Sequence, residues 1–305
     1  MQGGHAHHHH GPHDGHDHGD PGARPFGVAL VANFVFVLVE TAAGFAANST
    51  ALLADAGHNL SDVLGLALAG GAAWLATRTS SSRRTYGYGK AGVLAALANA
   101  LLLVTASGAI GWEAIRRLTD LQTVAPAIVM AAAATGIVVN GGTALLFAGA
   151  RKDDINARGA YLHLIADAAV SAGVIVAGAL IWFTGWRWVD PAASVIVVAV
   201  IVWGSWGLLR ESLDLAMDAA PAGIDIGAVR VRLAALPGVT EVHDLHVWAM
   251  TAREPALTAH LILPAGADDA FLDVAAHDLR AAFGISHITL QVERAPRGRC
   301  AHAHA

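Results

Sequence analysis

Charged residues are scarce in this 305-residue chain. Asp, Glu, Lys and Arg make up 14% of it, against about 25% for an ordinary soluble domain. The deficit lies before residue 210, which argues for a membrane domain followed by a soluble one. Cysteine is nearly absent: Cys300 is the single one, so an intrachain disulfide framework is excluded. There is no basic excess either; the formal net charge is −5, which leaves nothing to suggest nucleic acid as a partner. No HExxH motif occurs and position 59 is Asn, which speaks against an intramembrane zinc enzyme with its general-base Glu. The N-terminus has a histidine tract where a signal peptide has its basic and apolar regions, so no secretory signal fits.

Long apolar runs are what the chain does have. Six stretches, near 26–46, 51–77, 90–116, 124–149, 158–184 and 190–209, each reach the roughly 20 residues that a helix needs to cross hydrocarbon. Asn48-Ser49-Thr50 supplies cap chemistry before the second, and Gly185-Trp186-Arg187-Trp188 reads as an interfacial belt between the last two. Arg24, Arg78, Arg83, Arg84, Lys90, Arg151, Lys152, Arg158 and Arg210 fall on one side of the six spans. Only Arg116, Arg117 and Arg187 fall on the other, so the positive-inside rule places both termini in the cytoplasm.

Beyond residue 210 the periodicity changes. A helix at 224–236, strands at 239–250 and 256–264, a helix at 268–283 and a strand at 287–293 predict a small cytosolic α+β domain of ferredoxin-like type. The expected organisation is a disordered His-rich tail (1–25), a six-helix transmembrane domain (26–209), an α+β domain (210–295) for metal binding and dimerisation, and a flexible Cys/His tail (296–305).

Two HxxxD pairs sit inside the apolar spans: His58 and Asp62 in the second, His163 and Asp167 in the fifth. Four residues apart on a helix, the members of each pair share a face. Ionisable groups in hydrocarbon are costly and mark a pathway or a site. Brought together, the two pairs make an N2O2 donor set suited to tetrahedral Zn²⁺. A metal-free proton relay is the rival reading, and the abundance of histidine elsewhere favours metal. Asp55 and Asn59 flank the site, and Asn33, Glu40, Asn99 and Asn140 read as interhelical hydrogen-bonding residues.

The soluble part holds further donors: His243, His246, His260, His277, His287 and Glu293. Period-two alternation puts His287 on the same strand face as Glu293. The N-terminal "GGHAHHHHGPHDGHDHGD" carries eight of the seventeen histidines and reads as a flexible metal collector, with Cys300, His302 and His304 as a second mobile set.

With "STALLADAGHNLSDVLGL" (49–66), "YGYGK" (86–90), "AYLHLIADAAVS" (160–171), "DP" (190–191) and "HDLHVW" (243–248), the chain resembles the cation diffusion facilitator family of zinc transporters. The resemblance implies a homodimer in the inner membrane, each protomer with six spans and a cytosolic metallochaperone-like domain, exporting Zn²⁺ against protons. It implies His58, Asp62, His163 and Asp167 as the transport site. In the cytosolic domain it favours His243, His260 and Glu293, to which alternation adds His287. His58 is the variant associated with stricter zinc preference, some relatives having Asp there. Certain members also bind metal in the loop between spans two and three; residues 78–89 here contain no His, Asp, Glu or Cys. A membrane-anchored sensor or store is the remaining alternative, although it would have no need of ligands at mid-bilayer.

Overall fold

The computed structural model describes residues 23–149, 155–251 and 254–295. The expected N-terminal collector and the Cys300, His302 and His304 tail lie outside the described residues.

Six helices long and apolar enough to cross a membrane come first. They are α1 (Ala23–Ala47), α2 (Thr50–Ala76), α3 (Ala91–Thr119), α4 (Pro126–Phe147), α5 (Ile155–Thr184) and α6 (Val189–Ala216). The last runs seven residues past the expected end at 209, because Arg210, Glu211 and Asp214 are helix-compatible and carry it beyond the apolar zone. The bundle surface keeps large apolar side chains such as Phe45, Val138, Phe183 and Trp203 exposed, as a lipid-facing surface requires. Trp186 and Trp188 stack at 5.8 Å between α5 and α6.

Local chemistry sets the helix ends. Asn48 takes a left-handed backbone (φ 52°), which Asn tolerates, and lets α1 turn into α2 within two residues. Ser49 then caps α2 by accepting from the Leu52 N–H at 3.2 Å. Pro126 opens α4, where its missing N–H costs nothing. At Gly136 a Cβ would lie 2.8 Å from both Phe36 and Ser171, so glycine lets α1, α4 and α5 approach closely.

The C-terminal part is α7 (Ile226–Ala234), β1 (Glu241–Thr251), β2 (Glu254–Ile262), α8 (Asp269–Phe283) and β3 (His287–Glu293). The sheet order is β1-β2-β3, antiparallel between the first two strands and parallel between the last two. The expected α+β domain is therefore present, with three strands and both helices packed on them. Val229, Leu233, Leu257, Leu261, Leu279 and Ile285 form its core. Asp225 and Asp268 cap α7 and α8, and Gly284 (φ +69°) ends α8. Lys90, at the start of α3, pairs with Asp218 just beyond α6 and ties the basic end of the bundle to the soluble domain.

Candidate metal centre

The first centre is built where α2 crosses α5. The two helices run antiparallel there, so each histidine faces the other helix's aspartate. His58 Nε2 lies 3.3 Å from Asp167 Oδ1, and His163 Nε2 lies 3.1 Å from Asp62 Oδ2. Within each helix the His–Asp separations are 3.7 and 3.5 Å. The two imidazoles meet edge to face at 5.9 Å. All four residues present a ligand atom within 4.8 Å of one another. Bonds of about 2.0–2.2 Å to Zn²⁺ make tetrahedral edges of roughly 3.3–3.6 Å, so these spacings suit one small divalent ion.

The site is not sealed. Asp167 is buried, whereas His163 is half exposed and, with Asp62 and Asn59, lines a cavity of about 400 Å³. Gly65 and Asn99 border this cavity and also a larger one of about 1130 Å³, which reaches Arg78, Tyr86, Met250 and Glu254. Between them the Asn99 side chain packs against the bare Gly65 backbone, its Nδ2 2.7 Å from where a Cβ would be. Asn99 is held by Ser61, whose hydroxyl donates to its Oδ1 at 3.3 Å. The two cavities thus share Gly65 and Asn99, the smaller lying beside the four residues and the larger reaching the basic, domain-bearing end of the bundle.

The scaffold around α2 is polar and buried. Asp190, at the start of α6, accepts from the Thr50 N–H at 2.8 Å, the Thr50 hydroxyl at 2.9 Å and the Ser49 hydroxyl. Ser194 donates to the Thr50 carbonyl at 3.2 Å. This clamp fixes the N-terminus of the helix that carries His58 and Asp62. Sequence reasoning singled out the Asp190-Pro191 dipeptide only as part of a resemblance, because partners about 140 residues apart leave no local signal. Of the other intramembrane polar residues, Glu40 bonds Asn59 and Asn99 bonds Ser61, as expected of interhelical hydrogen bonds. Asn140 departs from that expectation: its side chain is buried with neither amide atom partnered.

A second group lies on the soluble sheet. His243 pairs with His260 across β1 and β2, and Glu293 stands at the end of β3. Glu293 Oε2 is 3.6 Å from His243 Nε2, and its Oε1 is 3.4 Å from His260 Nδ1. These three offer donors within 4.8 Å of one another. His287 stands apart from them. It shares the strand face of Glu293, but six residues at roughly 3.3 Å each put it about 20 Å away. There it meets the Tyr86 ring edge to face at 5.7 Å. Face alternation gives direction but not distance along a strand, which is why the expectation for His287 is not met. His246 and His277 are exposed and outside the group.

Asp244 is the residue that sequence reasoning missed. A register shift between His243 and His246, with φ +50° at Asp244, turns its carboxylate toward His246 Nε2 at 3.1 Å and His260 Nε2 at 3.5 Å. Its pKa is lowered, first by the hydrogen bond from His246 and then by the positive charge available on the neighbouring histidines. The signal for it, an acid between two histidines in "HDLH", is too short to announce a bulge.

Known proteins resemble the chain along nearly its full length. The sequence pattern of the cation efflux transmembrane domain matches residues 27–215, and that of the cation efflux protein cytoplasmic domain matches 221–295. The cation efflux system protein CzcD of Alcaligenes sp. (strain CT14) is 34% identical over 92% of this chain and 90% of its own. A cadmium, cobalt and zinc/H(+)-K(+) antiporter of Bacillus velezensis is 36% identical over 95% and 94%. The zinc transporter ZitB of Escherichia coli is 36% identical over 91% and 89%.

Proposed function

Because the chain belongs to the cation diffusion facilitator, or cation efflux, family, we propose that this multi-pass divalent-metal transporter exports Zn²⁺ from the cytoplasm in exchange for protons. The ion binds His58, Asp62, His163 and Asp167. The observation that carries this reading is the donor spacing of 3.1–3.7 Å across the α2–α5 crossing. Two imidazole nitrogens and two carboxylates suit Zn²⁺ in geometry and in softness.

Ligation needs neutral imidazoles and ionised carboxylates, so an arriving ion displaces protons and arriving protons displace the ion. An unperturbed imidazole titrates near pH 6.5, within range of a cellular proton gradient. Zn²⁺ enters past Asn99 from the larger cavity at the basic end of the bundle, and rocking of the helices exposes the site on the far side, where protons release it. The basic ends of the helices favour both termini in the cytoplasm. The matched cytoplasmic domain supports a homodimer. Metal at His243, His260 and Glu293 crosslinks three strands of that domain and acts as a regulator rather than as cargo.

The test is Zn²⁺ flux in proteoliposomes under an imposed pH gradient. Asp62→Asn and His163→Ala should each lose flux by at least 100-fold while the protein remains a folded dimer, since each removes one of four ligands. Parental flux in both variants refutes the site.

A further inference from the structure

Beside the four ligands lies a second pair of acids that the transport site does not use. Glu40 on α1 and Asp55 on α2 are both fully buried, at 0% exposure. Their carboxyl groups lie within hydrogen-bonding reach of each other. Each has one oxygen with a donor: Asn59 Nδ2 donates to Glu40 Oε2 at 3.1 Å, and the Ser171 hydroxyl donates to Asp55 Oδ2 at 3.0 Å. Each also has one oxygen with none, Glu40 Oε1 and Asp55 Oδ1. One proton shared between the two carboxyl groups supplies the donor that this buried pair lacks. Two bare anions in the same low-dielectric space are strongly disfavoured.

We propose that Glu40 and Asp55 hold one proton between them in the metal-free transporter and release it when a divalent ion occupies the neighbouring site. This rests on the four-residue site being the metal site. The groups facing the pair decide the linkage. Of the charged groups beside the pair, His58 comes from α2 and Asp167 from α5, while Asp190 at the start of α6 is engaged by Ser49 and Thr50. The α4 helix brings no titratable residue. With the site empty, burial and the Asp167 carboxylate both oppose a second charge on the pair, and the proton stays. A divalent ion reverses the local field, the O–H bond breaks heterolytically, and the proton leaves to water on the side to which the site is open. Asn59 both bonds Glu40 and lines the 400 Å³ cavity, so it connects the pair to the wall of that cavity. The transporter thereby carries a proton that none of its metal ligands holds.

Infrared difference spectroscopy of the full-length protein in bilayers, metal-free against Zn²⁺-loaded, tests this, together with proton release measured by a pH-sensitive dye. His243→Ala/His260→Ala serves as the parent, so that the membrane site dominates. We expect a protonated-carboxyl C=O band in the metal-free parent that vanishes with Zn²⁺. In Glu40→Gln the band should be missing, Zn²⁺ should still bind, and one proton fewer should be released per ion. Glutamine reproduces the protonated acid, accepting from Asn59 and donating to Asp55. Asp55→Asn should lose the same proton. A metal-free parent without the band, a band that survives Zn²⁺ loading, or unchanged proton release in Glu40→Gln overturns the proposal. The parental band reports without any variant, should one fail to fold. If instead the four-residue site is wrong, Asp62→Asn and His163→Ala bind Zn²⁺ like the parent while the metal-free band remains.

Discussion

Replacing Asp190 by Asn should loosen the transporter without touching any of the four candidate ligands. Asp190 is 1% exposed and accepts three hydrogen bonds, from the Ser49 hydroxyl and from the Thr50 N–H and hydroxyl. Bonds to a charged acceptor contribute about 1.5–3 kcal/mol each, and bonds between neutral groups about 1 kcal/mol. The amide keeps one acceptor oxygen and turns an NH2 toward donors. It also removes a negative charge from the N-terminus of α2, worth up to about 2 kcal/mol in a partly buried setting. Together these predict a loss of about 3–5 kcal/mol, a large share of the 5–15 kcal/mol that typically holds a protein together. Ser49→Ala, which gives up one of the three bonds and the cap on Leu52, should lose about 2–4 kcal/mol. The assay is reversible unfolding in bicelles, with Zn²⁺ affinity measured in parallel. His58 lies nine residues beyond Ser49, about 13.5 Å along the helix, so a freed N-terminus should also weaken metal binding. If Asp190→Asn unfolds within about 0.5 kcal/mol of the parent, the clamp contributes little and the reasoning fails.

Three further outcomes follow from the two candidate metal groups and their neighbours. His58→Asp should retain transport but broaden it: an oxygen donor in place of nitrogen relaxes the preference for Zn²⁺, so Mn²⁺ or Cd²⁺ should compete more strongly in vesicle flux. An unaltered competition profile would show that His58 does not touch the ion. His243→Ala combined with His260→Ala should lower the Zn²⁺ stoichiometry of the full chain by calorimetry while leaving residual flux; an unchanged stoichiometry would remove the soluble site. Asp244, whose folded pKa is lowered, adds stability above the ordinary carboxylate pKa of about 3.9 and loses it as pH falls through the lowered value. Asp244→Asn should therefore flatten the acid limb of the metal-free protein's stability profile, read as Tm against pH, and leave no change if the contact is idle.

The six spans, the soluble α+β domain and the two HxxxD pairs are legible in the chain itself, because each is a local regularity. Hydrocarbon thickness sets the span length, and the 3.6-residue period puts His58 over Asp62 and His163 over Asp167. Antiparallel packing was implied by an odd number of crossings between spans two and five. What tertiary structure alone decided depends on distances between residues remote in sequence. The proximity of Asp190 to Ser49 and Thr50, and of Glu40 to Asp55, arises from helix packing, which no periodicity encodes. A one-residue bulge turned Asp244 toward His260, and the length of β3 carried His287 away from Glu293 to meet Tyr86. Periodicity specifies the direction in which a side chain points; only the packed bundle and sheet specify what stands there to meet it.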